Sequence, residues 1–154
     1  MKKLISLLLT GLMCANLTAP ALAAEDTADT AAPGQTAITF TDMPSSPEFV
    51  ESITWAVENG ITKGVSGTLF APNATCTRAQ IVTFLWRAQQ SPASGGANPF
   101  VDVRADAYYY DAVLWAAKEG VTSGTGSVTF SPDVTCKRGQ IVTLIYRSRK
   151  PIEQ

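Results

Sequence analysis

Histidine is absent from this 154-residue chain. Its absence removes Ser-His-Asp and Cys-His catalysis, together with the commonest protein metal ligand. Cysteine is scarce. The three present, Cys14, Cys76 and Cys136, show no Cys-x-x-Cys spacing, which argues against a structural zinc site. No metal and no cofactor is therefore expected. Charged residues make up only 16% of the chain and balance to a formal −1, so the protein is not a polycation. Apart from the first 23 residues no stretch is apolar enough to cross a membrane, and no span is expected beyond them. Apolar residues reach 45% and aromatics 8%, enough to build a packed core, and the length suits one modest domain or two very small ones.

The N-terminus reads as a targeting segment. Lys2 and Lys3 give a positive start, Leu4 to Met13 a short apolar run, and Pro20-Ala21-Leu22-Ala23-Ala24 a small-residue cleavage site. This is the pattern of a secretory signal peptide spanning residues 1–23, cut after Ala23 or Ala24. Met13 precedes Cys14 where a lipoprotein peptidase needs a small residue, so lipidation is not expected. Cleavage removes Lys2 and Lys3 and takes the net charge to −3, since every acidic residue lies after the cut. An exported, acidic chain is a poor nucleic-acid binder. Its basic residues are nonetheless bunched: Lys137, Arg138, Arg147, Arg149 and Lys150 follow one another with no acid between them. A solvated helix face and an anionic partner both account for that bunching.

An internal duplication organises the rest. Residues 24–39, rich in Ala, Thr, Pro and Asp, read as a flexible leader, and residues 91–99, with Ser, Pro and Gly, as a linker. The segments 40–90 and 100–150 match at a constant offset of 60 without gaps, leaving 151–154 as a tail. Phe40, Asp42, Trp55-Ala56, Gly60, Thr62, Gly64, Phe70 and Pro72 return as Phe100, Asp102, Trp115-Ala116, Gly120, Thr122, Gly124, Phe130 and Pro132. Thr75-Cys76, Arg78 and Arg87 return as Thr135-Cys136, Arg138 and Arg147, and Gln80-Ile81-Val82-Thr83 recurs unchanged as Gln140-Ile141-Val142-Thr143. A period of this kind marks a repeat protein.

Each repeat predicts helix, loop, helix. Phe49, Ile53, Ala56 and Val57, and likewise Tyr109, Val113, Ala116 and Ala117, give one apolar face at helical spacing, over 47–59 and 107–119. Gly60 and Gly120 stand where a helix ends in a left-handed residue. A turn-rich loop follows, with Phe70 and Phe130 as plugs. Second helices are predicted over 78–89 and 138–149, with Ile81, Leu85 and Trp86, echoed by Ile141, Ile145 and Tyr146, as the buried stripe. Thr77-Arg78-Ala79-Gln80 is a capping box, whereas Lys137 gives the second copy a cap poorer by roughly 1 kcal/mol. The fold class is all-α. Units this small cannot bury their own apolar faces and must pack on a neighbour.

Phe-x-Asp, a helix holding Trp-Ala, Gly-(Ile/Val)-Thr-x-Gly, Phe-x-Pro and Thr-Cys-x-Arg-x-Gln, twice in that order, resemble the S-layer homology (SLH) repeat of bacterial surface proteins. The resemblance implies tandem repeats packing through their second helices, non-covalent attachment to secondary cell wall polysaccharide carrying pyruvate, and a place at the cell wall or cell surface. It implies that Arg78 and Arg138 bind the pyruvyl carboxylate, a role suited to a planar guanidinium at a helix N-terminus. The bland alternative pairs each arginine with an acid such as Asp42 or Asp102. Those two aspartates are themselves expected to fix a turn before the first helix. Trp55 and Trp115 are candidates for stacking on sugar rings, although helical spacing favours core burial. Gly64 and Gly124 serve backbone geometry or admit a sugar to the main chain.

Because the resemblance gathers the second helices, Cys76 and Cys136 approach one another, either as a disulfide or as two buried thiols. The family usually has three repeats and this chain has two, which predicts an exposed apolar edge. Self-association, as a homo-oligomer, or pairing with another SLH-bearing chain is expected. The leading functional reading is a non-catalytic wall-binding module. The alternative is a structural or interaction subunit that associates with other SLH-bearing chains and binds no glycan. A wall hydrolase is disfavoured, since no carboxylate pair stands in a recognisable catalytic setting. Export is open to direct measurement: N-terminal sequencing of secreted material is expected to begin at Ala24 or Glu25, and a retained Met1 contradicts it.

Overall fold

The computed structural model describes residues 40–149. The expected signal peptide, leader and tail, and Lys150, lie outside the described residues. Four helices follow in order, α1 (Pro47–Glu58), α2 (Arg78–Ala88), α3 (Tyr110–Lys118) and α4 (Arg138–Arg149). Among the described residues there is no strand, only an isolated antiparallel bridge between Thr77 and Thr135. The protein is all-α, two helix–loop–helix repeats whose second helices, α2 and α4, pack together, and α2 also packs on α3. None of these helices is long and apolar enough to cross a membrane.

Local chemistry sets the helix ends. The Thr77 hydroxyl accepts from the Gln80 N–H at 3.3 Å while the Gln80 side chain accepts from the Thr77 N–H at 2.8 Å, so the capping box at α2 is complete. At α4 only half of it remains, the Lys137 N–H donating to Gln140 Oε1 at 2.8 Å, because lysine offers no acceptor. Gly60 and Gly120 follow the first helices at φ +69° and +67°, the left-handed conformation that ends a helix. The first helix of repeat two starts at Tyr110, three residues later than the apolar pattern predicts. Two tight turns occupy the missing turn: Ala107 N–H donates to the Arg104 carbonyl and Tyr110 N–H to that of Ala107. Arg104 forks onto Asp106 at 2.9 and 2.7 Å and fixes the first of these turns.

The aspartates reach much further than a local turn. The Asp42 carboxylate accepts from the N–H groups of Phe70 and Ala71 at 2.8 and 2.7 Å, and Asp102 accepts from Phe130 and Ser131 at 2.8 Å each. Ala71 and Ser131 have φ +59° and +60°, a conformation that costs an L-residue roughly 1–2 kcal/mol. Each carboxylate therefore clamps a strained Phe-x-Pro loop against the start of its repeat. The rings close the same joint, with centroids 5.5 Å apart for Phe40–Phe70 and 5.6 Å for Phe100–Phe130. The linker is tied in as well: the Pro92 carbonyl accepts from Trp86 Nε1, and Asn98 bonds to the backbone of both Phe100 and Val103.

The two repeats differ in burial. The core gathers Ala79 and Val82 from α2 with Phe100, Val103, Val113, Trp115, Phe130 and Leu144 from repeat two. In α3 the run from Ala112 to Ala116 is buried, whereas in α1 only Ile53 is, and Phe49, expected inward, is exposed. The expected stripe of α2 lies at the margin: Ile81, Leu85 and Trp86 are half-buried, and Arg78, Ala79, Val82 and Thr83 take the interior. In α4 the stripe is off by more, with Leu144 buried and Ile145 and Tyr146 exposed. Helical periodicity fixes which residues share a face; the tertiary partner decides which face is covered.

The clamps generate a pH prediction. Backbone donation, from Phe70 above all, holds the Asp42 carboxyl below its ordinary range against an opposing push from burial. For Asp102 burial is the largest influence and pushes upward, but the N–H groups of Phe130 and Ser131 together with its own outweigh it and the carboxyl is again lowered. A depressed folded pKa stabilises above the unfolded value, about 3.9, and that contribution is lost as pH falls through the folded value. Melting temperatures are expected to fall on acidification below about pH 4 and to fall less steeply in Asp102→Asn. At pH 7 Asp102→Asn is expected to lower the melting temperature more than Asp42→Asn, because the loop it holds carries the fully buried Phe130.

Candidate functional site

The N-terminus of α2 crosses from its own repeat onto the loop of the next. Its Arg78 and Ala79 N–H groups donate to the carbonyls of Val134 and Pro132 at 2.9 and 3.0 Å. Those two groups are orphan donors of a helix start, so repeat two completes the cap that the helix cannot. The Arg78 side chain runs the same way. Only 7% of it remains exposed, its Nη2 donates to Thr122 Oγ1 at 2.6 Å and lies 3.5 Å from the Gly124 carbonyl, and its guanidinium carbon stands 5.0 Å from the Phe130 ring centre. Among the described residues no aspartate or glutamate pairs with it, and neither Asp42 nor Asp102 does. Thr122 in turn accepts from the Gly124 N–H at 3.1 Å, which fixes the hydroxyl that the arginine meets.

One donor is left over. Arg78 Nε is buried and has no hydrogen-bond partner among the described residues. A cavity of about 510 Å³ adjoins this arginine, lined by Arg78, Gly124, Lys137, Gln140, Thr143 and Arg147 among others, with no carboxylate in its wall among the described residues. Lys137, just before α4, and Gln140, Thr143, Leu144 and Arg147 on it fall three and four residues apart, one face turned to the cavity. In the sequence Lys137 and Arg147 stand out as a poor cap and as members of a basic run, not as parts of one site. Thr122, Gln140 and Thr143 stand out only as repeat positions, although Gln140, Thr143 and Arg147 at i, i+3 and i+7 mark one polar helix face.

Arg78 and Arg138 do not come together. Arg138 is exposed at the start of α4, its side chain has no hydrogen-bond partner among the described residues, and it is not in the wall of that cavity. The tryptophans also part company: Trp115 is 5% exposed, in the core, and Trp55 is 56% exposed, contrary to the burial its spacing favours. Gly64 and Gly124 have φ +76° and +86°, and a Cβ on either would press on the ring of Phe40 or Phe100 at 2.7 Å and on a backbone carbonyl. Packing therefore requires both glycines, and Gly124 borders the cavity as well. Cys76 and Cys136 do approach one another across the repeat boundary: the Cys136 N–H donates to the Cys76 carbonyl at 3.3 Å, and both half-buried thiols are free. Burial first, and the nearby Cys136 second, push the Cys76 thiol pKa up.

Comparison with known proteins bears on the whole described chain. The chain is 30% identical over 95 residues to the surface-layer 125 kDa protein of Lysinibacillus sphaericus, covering 62% of this chain and 8% of that one. It is 29% identical over 150 residues to the S-layer protein sap of Bacillus anthracis, covering 97% of this chain and 17% of that one. An endoglucanase of Bacillus sp. (strain KSM-635) matches at 27% over 117 residues, 76% of this chain and 12% of that one. The chain thus spans less than a fifth of the length of these relatives. The S-layer homology domain profile matches residues 39–82 and again 99–142, each beginning one residue before the Phe-x-Asp motif. With two copies of that domain forming most of its described length, the chain belongs to the S-layer homology domain family.

Proposed function

We propose that this protein binds acidic secondary cell wall polysaccharide, a pyruvylated polymer in particular, without catalysing a reaction, and does so through the cavity beside Arg78. S-layer homology domains are typically cell-wall anchoring modules of surface proteins, which supports a place at the cell surface. The observation that carries the reading is electrostatic. Arg78, Lys137 and Arg147 surround one cavity in whose wall no carboxylate stands among the described residues. An anion complements this charge, since a cationic cluster that includes the buried Arg78 attracts it more strongly than scattered surface lysines do. Gln140 and Thr143 add neutral donors and acceptors suited to sugar hydroxyls. Trp55, exposed on α1, lies outside the wall of this cavity, and Trp115 is in the core, so neither enters the binding reading.

Co-sedimentation with purified walls tests the proposal. Lys137→Ala and Arg147→Ala alter exposed side chains, so folding is expected to survive. Each is expected to weaken wall association by about tenfold, the worth of one charge-assisted contact. Walls stripped of pyruvylated polymer are expected to retain almost none of the unaltered protein. Equal binding by both variants, with melting temperatures unchanged, contradicts the assignment of the cavity.

A further inference from the structure

Repeat two shows what a docked repeat looks like, because α2 of repeat one sits on it. The same surface of repeat one has nothing seated on it among the described residues. Thr62 Oγ1 accepts from the Gly64 N–H at 3.2 Å as Thr122 does from Gly124, but among the described residues no guanidinium donates to it; Arg87, in the wall of the cavity that Thr62 also lines, donates to the Ile61 carbonyl at 3.2 Å instead. Phe70, the counterpart of the fully buried Phe130, is only half-buried. The carbonyls of Pro72 and Ala74, counterparts of those that cap α2, accept no hydrogen bond among the described residues. Where Phe130 and Thr122 hold Arg78, repeat one has an open cavity of about 460 Å³ lined by Thr62, Gly64, Phe70, Pro72 and Ala74 among others.

The complementary piece is at the other end of the same chain. The start of α4 carries Arg138 and then the same Gln-Ile-Val-Thr sequence as α2. Its Arg138 and Gly139 N–H groups find no acceptor among the described residues, and Arg138 is exposed where Arg78 is 7% exposed. Val142 is 59% exposed where its counterpart Val82 is fully buried. The chain therefore displays one socket and one plug of a joint that it also contains in assembled form.

We propose that a second copy of this chain docks head to tail: the α4 N-terminus of one copy, led by Arg138, occupies the seat at Thr62, Gly64 and Phe70 of the next. In that joint Arg138 donates to Thr62 and lies over Phe70, and the Arg138 and Gly139 N–H groups meet the carbonyls of Ala74 and Pro72. Glycine at 139 needs no more room than alanine does at 79, which is 1% exposed in the assembled joint. The contact is heterologous, plug to socket rather than patch to itself, so it propagates unless the ring closes. It involves neither Lys137 nor Arg147 in its polar contacts and does not depend on the glycan reading.

The cysteines give the test its direction. In the assembled joint the cysteine before the docked helix lies beside the cysteine of the receiving repeat, Cys76 beside Cys136. Between copies the pair is Cys136 of the docking chain and Cys76 of the receiving chain. Two full-length variants, both with Cys14→Ser, are made with either Cys76→Ser or Cys136→Ser, and each is treated with copper phenanthroline alone and after mixing. The expected result is a disulfide-linked dimer in the mixture and almost none in either variant alone. Arg138→Ala in the chain that keeps Cys136 is expected to lower its yield about tenfold, from loss of one charge-assisted hydrogen bond. Dimers formed within one variant, like cysteine to like, overturn the proposal in favour of a two-fold contact. A mixture without cross-linked product, monomeric in light scattering, also overturns it, whether the seat is then empty or covered by residues before Phe40. A yield indifferent to Arg138→Ala overturns the role of the plug.

Discussion

The seat of Arg78 on the second repeat holds the described chain together. A helix start is an unfinished structure, with N–H groups that lack partners inside the helix. Repeat two finishes α2 by lending it the carbonyls of Pro132 and Val134, and the arginine that follows the cap is fixed by Thr122 and Phe130. Everything else about that loop prepares it to receive the helix. Asp102 clamps its strained turn, Gly124 lets the backbone pass the Phe100 ring, and Thr122 is preset by its bond to Gly124. The apolar core then closes around the joint, from Val82 on one side to Trp115 and Leu144 on the other.

This arrangement explains why nearly identical repeats come to different burial. Their sequences specify the same helices and the same clamps, and both loops take the same shape. What differs is the neighbour. Repeat two receives a helix and buries its first helix and its plug residue, while repeat one gives a helix and keeps its own loop open. The charge distribution follows the same logic: Arg78 is drawn inside and borders a cationic cavity with Lys137 and Arg147, while Arg138 stands in solvent. One motif thus supplies a packing residue and part of a cationic cavity wall at once, while its second occurrence, at Arg138, stays exposed.

Much of the fold was legible in the sequence because it rests on local rules. The capping box at Thr77, the helix-ending Gly60 and Gly120, and the weaker cap at Lys137 all appear where residue chemistry places them. The duplication made the domain plan readable without any helix prediction. What the sequence left open was long-range. Asp42 and Asp102 look like turn residues, and only the folded chain shows their carboxylates reaching 28 and 29 residues away. Trp55 and Trp115 have the same local pattern, and their opposite burial comes from which repeat is covered. The candidate site was half legible: the motif arginine was named, but its partners belong to the other repeat and to a face of α4 that reads as ordinary surface.

Arg78 and Thr122 meet across the repeat boundary, and a double-mutant cycle measures their coupling directly. Urea unfolding of the unaltered protein, Arg78→Ala, Thr122→Val and the double variant yields the interaction term, with the separate loss of the Thr122–Gly124 bond cancelling in the cycle. A favourable coupling of about 1–3 kcal/mol is expected, as for a buried hydrogen bond to a charged group. Additive effects, with a coupling near zero, would contradict it.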